Sequence, residues 1–548
     1  MDDFNAYNTP RDQAPKKKNT SPKGKKSRTF EVNSKTLLVT LISVVALVLL
    51  IIVVVSVINS SSKDIVAQNN TFVTFENDGS YHVAMNGQVV GDSFENEVKL
   101  IPSGDNSFAY LIENATEGGY NIYILQNKKV TEIASGISEV LNVSEFAPGV
   151  VYKEDSAVYF YANDNEDRIT KDPSAANFVI SPDAKAVTYT ASNKDNVSEY
   201  KLYLFVDGVS EAYASNMIPV MLTKGGEYIY AYGVSPEDFT KRLYLIPTKD
   251  NDKVSIASKF DDITYSNIDG DEIIYCTGSI ENGYQSFIYN IKSNESVKIG
   301  AGRCAPVLSD SNIVCLSSLK NIVVENTYSS PLNMGISATY YINKKYEATK
   351  IASYNGQLSS DGERFYFINN DKTLCYVEVT EKNSHPTEKI SDGVSEFVIT
   401  AKDNIYYLAD DNNLMFYKTS TEKKSRIFKD VTNLSFNKYS NILYFETEDG
   451  NKIYMSEEGS DEELVSFDRI ELNGLPQFTS PTQKRTFAYI FNPETNLYDL
   501  YYTSTGKTFK LVADDCMSVN DLESHITPPP AQNDDDDTPA ATTGGAEG

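Results

Sequence analysis

The chain is poor in the residues that reactive chemistry usually needs. It has three histidines in 548 residues, His82, His385 and His525, which lie far apart and show no H-x-x-x-H spacing for a metal. Five cysteines are too few, and odd in number, for a disulfide-built scaffold, although an oxidising exterior would permit a Cys304–Cys315 bridge. Basic residues are scarce: 49 Lys and Arg stand against 76 Asp and Glu, for a net charge of −27. Like charge then repels nucleic acid, which is excluded as a partner. Nucleotide and hydrolase signatures are missing too. Gly506-Lys507-Thr508 has Tyr501 where a phosphate loop needs glycine. No G-x-S-x-G elbow occurs, and Ser235 in Gly233-Val234-Ser235-Pro236 lacks the second glycine. The acidic pairs Asp261-Asp262 and Asp514-Asp515 would point to opposite faces of a strand, which disfavours joint acid–base work. The segment from Asn267 to Glu272 alternates oxygen-bearing side chains around Gly270 but lacks the later glutamate of an EF-hand loop. No catalytic residue, metal ligand or cofactor is therefore assigned.

Charge is also absent from one long run. Leu37 to Ile58 gives 22 residues without a single ionisable side chain, enough at about 1.5 Å per residue to cross a hydrocarbon layer of about 30 Å. Asn59-Ser60-Ser61-Ser62-Lys63 follows in place of a small-x-small cleavage site, so an uncleaved transmembrane anchor is expected, with the lipid bilayer as its partner. Nine basic and four acidic residues precede it, which places the tail of residues 1–36 in the cytoplasm and the acidic body outside the cell membrane. The other end, residues 527–548, contains Pro528-Pro529-Pro530 and four aspartates from Asp534 to Asp537. Like the N-terminal tail it is expected to be disordered, since nothing in it builds a core.

Between these ends a short phrase recurs: one residue, two mostly apolar residues, then tyrosine. It ends at Tyr110, Tyr152, Tyr189, Tyr230, Tyr275, Cys315, Tyr366, Tyr407, Tyr444 and Tyr489, at intervals of 37 to 51 residues, with Cys315 in the tyrosine slot. Phe72-Val73-Thr74-Phe75 is a candidate eleventh copy. A period near forty residues without helical patterning predicts one sheet of about four strands per repeat. Such sheets bury both faces only by stacking. A junction strand precedes each phrase. A polar turn and a second tyrosine-bearing strand follow it, as in Ile405-Tyr406-Tyr407 with Leu414-Met415-Phe416-Tyr417, or Ile442-Leu443-Tyr444 with Ile453-Tyr454 across Asp449-Gly450. Recurrence of tyrosine at one register predicts core packing between sheets, with each hydroxyl near a rim or a wet channel.

The turns Ser181-Pro182-Asp183-Ala184-Lys185 before Tyr189 and Ser359-Ser360-Asp361-Gly362-Glu363 before Tyr366 resemble the S-P-D-G-K junction of TolB-like β-propellers. The tyrosine-rich strand pairs are similar to propeller repeats of membrane-anchored proteins from Gram-positive bacteria. The chain departs from the TolB pattern in having no tryptophan. The resemblance implies an all-β fold of propeller-type blades; the count of phrases makes them ten or eleven, behind the one transmembrane helix expected at Leu37 to Ile58. Because rings typically hold about four to eight blades, two propellers are expected, at residues 65–310 and 311–520, with one large ring as the alternative.

The widest interval holds an insertion from Leu316 to Ala338. Its residues Tyr328, Ser329, Pro331, Leu332, Asn333 and Met334 form the candidate binding loop, since loops on a rigid repeat scaffold commonly carry specificity. The expected function is noncatalytic recognition of a protein, peptide or envelope glycan by a membrane-anchored propeller. A cell-envelope hydrolase or lyase on the same scaffold is the alternative, because a fold does not decide a function.

Overall fold

The computed structural model describes residues 63–523, apart from 116–117, 194–195, 251, 311–312, 327–337, 382–384, 438–440, 448–452, 461–462, 465–474, 480–484, 493–494 and 521. The 37–58 run and both tails lie outside the described residues. Among the described residues no helix is long and apolar enough to cross a membrane.

Eleven antiparallel sheets follow one another along the chain and make an eleven-bladed β-propeller. Blades 2 to 11 occupy residues 98–137, 139–170, 176–215, 218–258, 260–301, 304–352, 356–391, 394–428, 431–464 and 477–516. Each has four strands in sequential order, as expected of the forty-residue repeat. Blade 1 is composite. Phe72–Asn77, Ser80–Met85 and Gln88–Val89 come from the N-terminal side, and Ser518–Val519 closes on them from the C-terminal side, pairing Phe75 with Val519 and Glu76 with Ser518.

Of the two arrangements the repeat count allows, the sheets take the single ring. Every blade shares a core with the next, and Phe487, Leu500 and Cys516 of blade 11 pack against Val73, Phe75 and Ala84 of blade 1. The break expected at 310 falls inside blade 7, between its first strand Cys304–Val307 and second strand Ile322–Asn326. Val324 of that second strand joins a core with Ile274 and Ile288 of blade 6, while Val323 joins Phe365 and Phe367 of blade 8, so apolar packing is continuous there.

The tyrosine phrases ending at Tyr110, Tyr152, Tyr189, Tyr230, Tyr275, Tyr366, Tyr407, Tyr444 and Tyr489 lie on the second strands of their blades, but in two registers. Tyr110, Tyr230 and Tyr366 stand seven residues after Ser103, Thr223 and Ser359, which follow the first strand, whereas Tyr152, Tyr189 and Tyr275 stand eight after Ser144, Ser181 and Asn267. Side chains alternate across a strand, so the two sets face opposite neighbours. Each kind meets the other in one interface: Tyr110 with Tyr152 between blades 2 and 3, and Tyr230 with Tyr275 between blades 5 and 6. Burying one such ring contributes roughly 1.5–3 kcal/mol. Rings of the second set also make contacts within their own sheet. Tyr189 stacks on Tyr203 and Tyr275 on Phe287, and their hydroxyls donate to Ser210 and Ser296 of the fourth strands at 3.2 and 3.0 Å.

Cys315 does not occupy the tyrosine slot. It sits on a separate short strand, Ile313–Cys315, and the slot residues of blade 7 are Val323 and Val324. The apolar run Ile313-Val314-Cys315 imitates the phrase, yet Ile322-Val323-Val324 is equally apolar and lies where both neighbouring blades can cover it. All five cysteines are free and buried, so Cys304 and Cys315 form no bridge.

Candidate functional site

The turns from first to second strand share one design, which explains the S-P-D-G-K resemblance. The Ser359 and Ser181 hydroxyls accept a hydrogen bond from the backbone N–H five residues on, at 2.9 and 3.0 Å. Ser103, Thr223 and Asn267 do the same at 3.1, 2.9 and 3.0 Å. Three residues after each of these, the backbone has positive φ: 74° at Gly362, 51° at Ala184, 55° at Asn106, 71° at Gly226 and 74° at Gly270. Glycine suits that conformation, which is why it stands in the fourth place of the motif. Only two of these turns are legible from sequence, because Ser, Thr and Asn supply the acceptor interchangeably.

Blade 3 breaks the pattern and links its neighbours. The Ser144 hydroxyl donates outward to the Ser181 carbonyl of blade 4 at 3.3 Å. The N–H five residues on, at Gly149, donates instead to the Tyr110 hydroxyl of blade 2 at 2.9 Å. That hydroxyl in turn donates to the carbonyls of Ser144 and Gly149, each at 3.0 Å, and burial pushes its pKa up to about 12. A Cβ at Gly149 would stand 2.6 Å from that of Ala184, so glycine is required where blades 3 and 4 approach.

The turns of blades 3, 4 and 6 line a cavity of about 350 Å³. The ends of the first strands of blades 3, 4, 5 and 6 line it, at Val143, Ile180, Leu222 and Ser266, which identifies the first strands as the inner edge of the ring and this end as its mouth. Val314 and Cys315 form another wall. Their strand pairs with Ile65–Val66, Ile65 opposite Cys315, and the Asp64 carboxylate takes the backbone N–H and hydroxyl of Ser317 at 2.7 and 2.6 Å. Farther along, the N–H of Gln68 donates to the Asp105 carbonyl of blade 2 at 2.7 Å. Residues 64–71 therefore run from blade 7 to blades 1 and 2 as a strap across the mouth, over a span of up to about 25 Å for an extended chain of that length.

A second polar cluster lies beside the strap, on the residues that follow Ser317. Glu272 of blade 6 is buried, and its carboxylate accepts hydrogen bonds from Ser318 Oγ at 3.0 Å, the Leu319 N–H at 2.5 Å, the Tyr346 hydroxyl at 2.5 Å and Asn290 Nδ2 at 3.1 Å. The segment from Asn267 to Glu272, compared above with a calcium loop, thus spends its oxygens on turn and inter-blade bonds. Among the described residues no group of three His, Cys, Asp or Glu side chains is placed to hold a metal ion.

The candidate loop residues Tyr328, Ser329, Pro331, Leu332, Asn333 and Met334 lie outside the described residues. The strands that carry the loop are described. Asn326 lies beside Cys304, at the start of blade 7's first strand, and Thr339 beside Glu325, so the 327–338 connection leaves from the face opposite the strapped mouth. The insertion is shorter than its sequence suggested, because Ile322–Asn326 within it is a strand of the blade. His82 stacks on Phe75 in blade 1 and His385 bonds the Glu378 carbonyl in blade 8; neither lines the cavity at the mouth.

No protein-family model matches the chain, and no curated relative matches it. Solved structures that it resembles include the tricorn protease, at 10% identity and a TM-score of 0.24 over 72% of this chain and 46% of that one. The β-propeller domain of the Trilobed protease from Pyrococcus furiosus is 14% identical over 53% of this chain and 94% of that one, with a TM-score of 0.24. The putative TolB from Agrobacterium tumefaciens is 13% identical over 43% and 90%, with a TM-score of 0.27. The chain spans about half the length of the tricorn protease. These likenesses are of fold alone.

Proposed function

We propose that the chain is a single-pass membrane protein with a cytoplasmic N-terminus, whose propeller stands outside the membrane and binds a protein, peptide or envelope glycan without catalysis. The observation that carries this reading is the polarity of the ring. The chain enters at the mouth, where Asp64 is bonded to Ser317, and the 327–338 connection leaves from the opposite face. The first described residues and the strand ends that flank 327–337 thus lie on opposite faces of the ring. The uncharged run at 37–58 and the basic residues before it support the topology. The described histidines and the cavity at the mouth do not come together, which favours binding over hydrolysis.

Two measurements test the reading. Protease added outside intact cells should digest the propeller and leave a short N-terminal fragment protected; full protection overturns the topology. Replacing residues 327–337 with a Gly-Ser loop should leave the circular-dichroism melt intact and remove the dominant species crosslinked to the propeller in its native membrane. An unchanged crosslinking pattern overturns recognition through that connection.

A further inference from the structure

Blades 2 and 3 enclose a second cavity, of about 480 Å³, within the range of roughly 300–1,000 Å³ usual for ligand pockets. Strand alternation sets its walls. Ile124 packs in the core shared by the two blades, so Gln126, two residues on in the third strand, turns toward blade 3 as well. Thr131 and Lys129 of the fourth strand stand opposite Ile124 and Gln126 and face the same way. From blade 3, Tyr161 packs against that core, and the two-residue turn Asn163–Asp164 follows it, with φ of 53° and 58°. Pro148, in the first turn of blade 3, completes the apolar part of the lining with Ile124 and Ile133. Pro148 and the turns from third to fourth strand share one end of the antiparallel sheets, so the cavity opens on the face of the mouth, toward the outer strands.

The lining is polar without net charge: Lys129 brings one ammonium and Asp164 one carboxylate. The side chains of Gln126, Asn127, Thr131 and Asn163 have no hydrogen-bond partner among the described residues. Nearby amides do: Asn121 bonds Glu113 at 3.0 Å, and Asn142 bonds the Phe178 carbonyl at 2.9 Å. The Tyr161 hydroxyl donates to the Asp164 carboxylate at 3.0 Å. Its ring has no aromatic partner among the described residues, whereas the neighbouring Tyr152 and Tyr159 stack on each other.

A pyranose carries C–H groups on its faces and, around its edge, hydroxyls that both donate and accept. An unstacked aromatic ring suits the first. Side-chain amides, each with two donors and a carbonyl, suit the second, as does a carboxylate acceptor. We propose that this cavity binds an uncharged hexopyranose, one face on the Tyr161 ring and its hydroxyls on the Asp164 carboxylate and the amides of Gln126 and Asn163. A free sugar and one unit of a glycan share this chemistry. The site lies on the opposite face from the 327–338 connection and does not depend on that connection or on membrane anchoring.

Saturation-transfer NMR on the purified full-length chain tests the proposal. The neutral pyranoside probes are methyl β-glucoside, methyl β-galactoside, methyl α-mannoside and N-acetylglucosamine. Glucuronate and glucosamine are the charged sugars, cyclohexanol the apolar ring and N-acetyl-alanine amide the peptide. At least one neutral pyranoside should bind, with transfer strongest to the C–H protons of one ring face, and the other classes should bind more weakly. Gln126→Ala combined with Asn163→Gly removes two exposed amides, and glycine suits the positive φ at 163, so the melt should be unchanged while binding weakens about ten-fold. Tyr161→Ala should abolish binding; should it also lower the melt, the amide variant decides. Replacing residues 327–337 with the Gly-Ser loop should leave pyranoside binding unchanged. Tighter binding of cellotetraose or chitotetraose than of the matching monosaccharide identifies a glycan as the occupant, and equal binding a free sugar. The proposal is overturned if no neutral pyranoside binds, if cyclohexanol, the peptide amide or a charged sugar binds more tightly, or if the amide variant binds undiminished.

Discussion

The hydroxyl of Tyr110 on blade 2 accepts the backbone N–H of Gly149 on blade 3 at 2.9 Å and donates to two carbonyls of the same turn. One side chain thereby closes a turn in the neighbouring sheet, a task that a hydroxyl or amide within the turn performs at Ser103, Ser181, Thr223, Asn267 and Ser359. Tyr110→Phe keeps the ring but strands a buried N–H, at a cost of about 1–3 kcal/mol. By contrast, the buried Tyr444 hydroxyl has no hydrogen-bond partner among the described residues. Tyr444→Phe should be neutral or slightly stabilising. Denaturant midpoints of the two variants should move apart, and equal shifts would contradict the asymmetry.

Glu272 joins blades 6 and 7 through four donors in a buried setting. Glu272→Ala leaves those donors unpaired and should destabilise by about 3 kcal/mol or more. Hydrogen exchange should rise first at Leu319 and along Ile322–Asn326. Uniform exchange around the ring would show that the cluster does not act locally.

The strap depends on Asp64, whose carboxylate holds both polar groups of Ser317. Asp64→Ala should free residues 64–66 from the Ile313–Cys315 strand without unfolding the blades. The readout is thiol labelling. Burial holds the Cys276 and Cys516 thiols at about 12 and the Cys304 and Cys315 thiols at about 11, so all should react slowly in the native protein. In the variant, Cys315 alone should react faster.

Asp499, buried on blade 11, has its carboxyl raised by desolvation first and then by the charges of Asp515 and Asp514, against one hydrogen bond from the Asp515 N–H that lowers it. The folded chain therefore holds this proton more tightly than the unfolded chain does. Its contribution to stability is fullest below the ordinary carboxylate pKa and is lost as pH rises through the raised folded value. Asp499→Asn keeps the acceptor for Asp515 and removes the charge. Its melting temperature should exceed that of the parent near pH 7 and converge with it near pH 4. A constant offset at both pH values would mean that titration of Asp499 is not the cause.

The repeat was legible because each sheet needs the same few residues. Tyrosines spaced near forty residues and Ser-x-x-Gly turns mark the second strands and their approach, and Phe72 to Phe75 proved to be the strand that completes blade 1. Cys315 misled because a three-residue apolar strand has the same local pattern whether it belongs to a blade or to the strap. The register of the tyrosines was also hidden: a shift of one residue leaves the spacing almost unchanged and turns the ring to the other neighbour.

Composition and local pattern by themselves determined an all-β chain of four-stranded units, since hydrophobic periodicity and turn chemistry act over a few residues. Tertiary structure alone decided that eleven units close into one ring and that residues 64–71 cross its mouth. Those outcomes depend on contacts between residues tens to hundreds of positions apart, such as Phe75 with Val519 and Asp64 with Ser317. No local pattern encodes such pairs, because their energy exists only once the sheets have packed.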